Sequence, residues 1–98
     1  MRTEADMEIT AELSLYPLGS DHPIAEIVEL INGLRADPRV RVVVNQMSTQ
    51  ITGELDDVMA VVTDAMRSSF GTGSTKVLVA KFLSKGLPIA DTPVLTTS

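Results

Sequence analysis

This 98-residue sequence predicts an α+β fold of order β-α-β-β-α-β, with one four-stranded antiparallel sheet and both helices on one of its faces. Three observations predict it. The opening segment alternates apolar and polar residues over a full strand length. Two later stretches repeat apolar residues at helical spacing. Runs of β-branched residues fall between and after those stretches.

Residues 7–18 form the first strand. Ile9, Ala11, Leu13 and Leu15 alternate with Glu8, Thr10, Glu12, Ser14 and Tyr16, a period of two that sends one face to a core and leaves the other polar. Pro17 and Gly19 stop it, because proline cannot donate to a sheet ladder. A helix follows, with Ser20 or Asp21 as its cap and Pro23 in its first turn. Its apolar stripe is Ile24, Ile27, Val28, Ile31 and Leu34, and Asp37-Pro38 ends it.

Residues 40–45, rich in β-branched valine, make the second strand and residues 49–52 the third, joined by a hairpin near residues 46–48. The second helix spans residues 54–70. Glu54, Asp56 and Asp57 lie in its first turn, where the helix dipole favours negative charge. Leu55, Val58, Met59, Val62 and Met66 form its stripe, and Gly71 is its C-terminal cap. Residues 75–83 make the last strand. Right-handed crossovers with both helices on one face make this a ferredoxin-like sandwich.

The expected organisation is one domain over residues 7–88, with residues 1–6 as a flexible extension and residues 89–98 as an irregular tail. A chain this short buries only about 60–70% of its unfolded surface, so association with further copies would help it. A net charge of −5 and three aromatic residues argue against nucleic acid, which demands clustered cations and stacking platforms. The absence of cysteine excludes disulfides, thiolate metal sites and thiol nucleophiles. No apolar run reaches the roughly 20 residues of a membrane span, and the polar opening lacks a signal-peptide core. No membrane partner and a cytoplasmic address are therefore expected.

The chemistry-bearing residues fall into a few groups. Glu8, Thr10, Glu12, Ser14 and Tyr16 share the polar face of the first strand. That face is a solvated surface, a subunit interface or one wall of a pocket; in a pocket, Glu12 would offset a ligand's positive charge while Ser14 and Tyr16 supply hydroxyls. Asn45, Gln46, Met47, Ser48 and Thr49 crowd one hairpin. Such side chains often satisfy only the turn itself, yet amides and hydroxyls also complement a ring bearing both acceptors and donors.

Other signals are structural. His22, the only histidine, sits in a loop or cap position with no partner set for catalysis. The acids at the second helix are explained by its dipole without a metal. Residues 71–75 (GTGST) lack the spacing of a phosphate loop and precede a strand. No catalytic group, metal or cofactor is predicted.

Three blocks in order carry a resemblance: LSLYPLG at the end of the first strand, QMSTQITGELDDVM from the hairpin into the acid-fronted helix, and FLSKGLP at the end of the last strand. Over residues 7–88 the chain resembles the YkoF-like thiamin/hydroxymethylpyrimidine-binding family. The resemblance implies a ferredoxin-like fold and non-catalytic binding of thiamin or its hydroxymethylpyrimidine moiety. By the same resemblance Ser14, Ser48, Thr49 and Ser84 touch the pyrimidine; the polar strand face and the hairpin cluster add Glu12, Tyr16 and Gln46 as further binding residues. Proteins of the YkoF type carry two such domains, so a single domain is expected to self-associate as a homodimer or homotetramer. Lys85 is expected near the site. The alternative function is an assembly or regulatory domain that uses the open sheet face for protein contact and binds no vitamin.

Overall fold

The computed structural model describes residues 7–95; the extension expected at residues 1–6 lies outside the described residues. The elements are β1 (Glu8–Leu18), α1 (Pro23–Arg35), β2 (Arg41–Val44), β3 (Thr49–Glu54), α2 (Leu55–Phe70) and β4 (Thr75–Leu83). The four strands form one sheet in the order β2-β3-β1-β4, every neighbouring pair antiparallel. This is the ferredoxin-like α+β sandwich that the alternation and helical spacing predict.

The register assigns faces. Ile9, Ala11, Leu13 and Leu15 of β1 are buried against Leu30 and Leu34 of α1, Ile51 of β3, and Val58, Val61 and Val62 of α2. Leu13, Leu34, Ile51 and Val58 are the largest fully enclosed side chains. Burial of such apolar surface supplies most of the drive to fold.

Both helices are rotated from the expected stripes. In α1 the buried residues are Leu30 and Leu34, with Ile27 packed beside them, while Ile24 is 71% exposed and Val28 is exposed. The apolar set Ile27, Leu30, Ile31 and Leu34 keeps the i, i+3, i+4, i+7 spacing; Ile24 and Val28 fall outside that stripe. In α2, Val61 takes the buried place expected for Met59. Neither expected capping residue occupies the N-cap of α1. His22 does, without a side-chain cap bond, and Pro23 at the first position lowers the demand because it has no N–H.

Two polar contacts fix the rest of the molecule. Thr10 is buried, although it lies on the polar face of β1. Its Oγ1 donates to the Lys85 carbonyl and accepts from the Leu87 N–H, each at 2.8 Å. The segment after β4 is thereby strapped over one end of the sheet. On the helix side, Lys76 has a side chain only 2% exposed. It donates to the carbonyls of Ser69 (2.6 Å), Ser74 (3.3 Å) and Thr72, and pairs with Glu26 Oε1 at 3.3 Å. An ammonium there neutralises the negative end of the α2 dipole and ties α1 to the loop that follows α2.

Candidate functional site

Unequal strand lengths open a cleft. The pairing of β1 with β3 ends at Leu13↔Thr49, and that of β2 with β3 ends at Val44↔Thr49. β1 runs on to Leu18, paired there with β4 alone. Beyond Leu13, one edge of β1 therefore faces the β2–β3 hairpin and has no strand beside it. Backbone N–H and C=O groups on such an edge are ready donors and acceptors.

The cleft has a volume of about 440 Å³, within the range of roughly 300–1,000 Å³ typical of small-molecule sites. Its walls are residues 13–18 of β1, the hairpin residues 45–49, and Ile27, Leu30 and Ile31 of α1. Aliphatic side chains make the floor; hydroxyls and amides make the rim. A ligand with a flat apolar body and a hydrogen-bonding edge fits that chemistry.

Five of the side chains singled out in the sequence meet here: Ser14, Tyr16, Gln46, Ser48 and Thr49. They do not share one face of the sheet. Thr49 is paired opposite Leu13 and is buried on the helix side. Ser48 turns to the other face, where its Oγ donates to Glu12 Oε2 at 3.1 Å. The cleft passes through the notch between the two faces, so both line it. Ser14 Oγ donates to the Met47 carbonyl at 3.4 Å, bridging the free edge of β1 to the hairpin.

Glu12 adjoins the cleft through Ser48. Its Oε2 also accepts from Gln50 Nε2 at 3.4 Å, and its Oε1 lies 3.7 Å from Lys81 Nζ. Hydrogen bonds from Ser48 and then Gln50, with help from Lys81, hold the Glu12 carboxyl below its ordinary range against a small cost of desolvation. A fixed negative charge therefore stands beside the rim.

Ser84 is not brought to this group. β4 pairs Leu83 with Thr10 and Val79 with Ser14, and a strand rises about 3.3 Å per residue. Ser84 and Lys85 thus lie at the strapped end of the sheet, at least about 13 Å along the strand from Ser14. The positive charge expected beside the site is at that far end, because Lys85 follows β4 into the strap.

The walls that sequence reasoning missed are Ile27, Leu30 and Ile31, treated there only as core or left out of the stripe. Their i, i+3, i+4 spacing was the available signal. A larger groove of about 580 Å³ lies at the strapped end, lined by Glu8, Arg39, Arg41, Glu54 and Asp57 among others. It has mixed charges and a polar floor, and Arg39 is already paired with Asp37 (2.7 Å) and Asp64 (3.0 Å). No group of three or more histidine, cysteine or acidic side chains among the described residues is placed to hold a metal ion. No helix among them is long and apolar enough to cross a membrane.

Comparison with known proteins agrees with this fold. The chain is similar to the Bacillus subtilis protein YqgV, 26% identical over 72 residues, which covers 68% of this chain and 69% of that protein. Its fold is similar to that of a Thermotoga maritima protein assigned provisionally to thiamine biosynthesis or salvage, with a TM-score of 0.74 at 20% identity over 84% of this chain and 90% of that one. A Streptococcus pneumoniae protein gives a TM-score of 0.74 at 24% identity over 86% and 92% of the two chains. The sequence profile of the thiamine-binding protein family matches residues 11–80, which include β1 from Ala11, both helices, the hairpin and most of β4. The chain belongs to the thiamine-binding protein family.

Proposed function

We propose that this protein binds thiamin or its hydroxymethylpyrimidine moiety in the cleft between β1, α1 and the β2–β3 hairpin, and releases it unchanged. The observation that carries this reading is the pairing of an aliphatic floor, Ile27, Leu30 and Ile31, with an uncharged hydrogen-bonding rim, Ser14, Gln46 and Ser48. A pyrimidine ring offers nitrogen acceptors and an exocyclic amine donor on a flat apolar body. Hydroxyl and amide side chains answer both kinds of group, and the free edge of β1 adds backbone partners. The Glu12 carboxylate suits the positive charge of a thiazolium. Hydroxyl, amide and aliphatic groups, beside a carboxylate already engaged by Ser48, Gln50 and Lys81, favour binding over turnover.

Self-association belongs to the same reading. β4 is an edge strand of 9 residues, TKVLVAKFL, with Val77, Val79 and Leu83 exposed on the face that also carries Tyr16. An exposed edge without proline, apolar on this face at Val77, Val79 and Leu83 and charged at Lys81, is a template for pairing with another chain, and an isologous contact between two copies closes it. A homodimer or homotetramer would follow.

Isothermal titration calorimetry with thiamin, its phosphates and hydroxymethylpyrimidine tests the ligand, and light scattering on the same sample tests the assembly. Comparable affinity for the free pyrimidine and for thiamin places recognition on that ring. An oligomer that gives no heat with any of them rejects the ligand. The exposed apolar face would then favour the second reading, an assembly or regulatory domain.

A further inference from the structure

We propose that Met47 closes the cleft, folding its thioether side chain over one face of a flat heteroaromatic ring whose other face rests on Ile27 and Ile31. This rests on the reading of the cleft as a ligand site and adds a selectivity-determining residue to it.

Met47 lines the cleft, yet its surface is 91% exposed. Among the large apolar residues described, only Val94 and Leu95, far along the C-terminal segment, are comparably bare. An exposed methionine at the tip of a hairpin gains nothing for the fold, since its side chain leaves the core empty-handed. Its backbone, in contrast, is held: the Met47 carbonyl accepts from Ser14 Oγ, and the Asn45 N–H donates to the Ser48 carbonyl at 2.8 Å. The Cα position is therefore set at the rim, and rotation about the side-chain bonds alone can carry the thioether inward. Methionine is suited to this because it is unbranched, adaptable and polarisable, and its sulfur makes favourable contacts with aromatic rings.

The occupant's chemistry follows from the lining of the cleft. Ile27 and Ile31 stand one helical turn apart on α1 and present a shallow aliphatic surface. Polar contacts come from the sides, at Ser14, Gln46 and Ser48. A shallow aliphatic wall with hydrogen-bonding groups around it suits a flat heteroaromatic ring better than a sugar or a linear amine. Closure by Met47 would select against rings with bulky groups standing out of their plane.

The experiment labels the methionine ε-methyl groups with carbon-13 and follows them by NMR while hydroxymethylpyrimidine and thiamin are added. Met47→Leu identifies the Met47 signal among the five methionines, and Met47→Ser is titrated by calorimetry beside the wild type. Closure predicts an upfield ring-current shift of the Met47 methyl at saturation. It also predicts affinity about tenfold weaker in Met47→Ser, the scale of one lost apolar side-chain contact, and within about threefold of wild type in Met47→Leu, which keeps the bulk. Wild-type binding with an unmoved Met47 methyl overturns closure and leaves the cleft reading standing, whatever the affinity of the serine variant. A wild type that binds neither compound overturns both.

Discussion

The hydroxyl of Ser48 donates to the Glu12 carboxylate across the boundary between the hairpin and β1, with 3.1 Å between Oγ and Oε2. Through this contact a carboxylate adjoining the rim is tied to the loop that walls the cleft. Ser48→Ala removes the largest influence holding the Glu12 carboxyl low and one hydrogen-bonding group from the rim. Binding of thiamin should weaken by about five- to tenfold, the effect of one net hydrogen bond, while the melting temperature changes by less than about 3 °C because Ser48 is outside the core. Calorimetry and thermal melting together check this; unchanged affinity would remove Ser48 from the site.

Lys76 and Glu26 predict a stability effect at a distance from the cleft. In Lys76→Met the carbonyls of Ser69 and Ser74 and the Glu26 carboxylate lose their shared cation. A loss of about 1 kcal/mol for each of two unmatched carbonyls corresponds to a fall of roughly 8–16 °C in melting temperature for a domain of this size. Since Glu26 directly precedes Ile27, ligand affinity should fall as well. A melt within about 2 °C of wild type would show that the ammonium is not the tie between α1 and the α2–β4 loop.

Acid should unfold this protein early. The Ser20 hydroxyl, the Ser74 N–H and hydroxyl, and the Lys76 ammonium hold the Glu26 carboxyl at about 2 against an ordinary 4.5. Arg39 hydrogen bonds hold Asp37 at about 2 against 3.8. Each carboxyl is more acidic folded than unfolded, so the unfolded chain binds more protons between those values. The stabilisation is fully present above the ordinary values and is lost as pH falls from about 4.5 toward 2. Melting temperature should be level near neutrality and drop steeply below about pH 4.5; Glu26→Gln should flatten the drop.

Thr10→Val tests the strap. Valine keeps the shape of threonine but can neither donate to Lys85 nor accept from Leu87. Stability should fall by about 1–3 kcal/mol, since a carbonyl and an N–H lose their partner. Amide hydrogen exchange at Leu87 should accelerate at least about tenfold while the β1–β3 ladder stays protected. Equal exchange in both proteins would mean that packing, not the hydroxyl, holds the segment.

The sequence by itself determined the order of elements and most of their bounds. The alternation from Glu8 to Tyr16, the apolar spacings in α1 and α2, and the β-branched run before Leu83 are local signals, each read within a few residues. They were enough for the ferredoxin-like class, because the crossover rules leave few arrangements of β-α-β-β-α-β. The hairpin cluster was legible for the same reason: its polar side chains are neighbours in the chain.

Tertiary structure decided the rest. The notch exists because β1 outlasts β3, a difference that appears only once Leu13 and Thr49 are paired. Ile27 and Ile31 become a cleft wall because α1 packs across that notch, and Ser84 is separated from Ser14 because β4 is antiparallel to β1. Thr10 is buried by a strap from the far end of the chain, while Ile24 and Val28 stay exposed despite their apolar character. Periodicity tells a residue which side of its own element it occupies; what covers that side depends on partners distant in sequence, whose register no local pattern encodes.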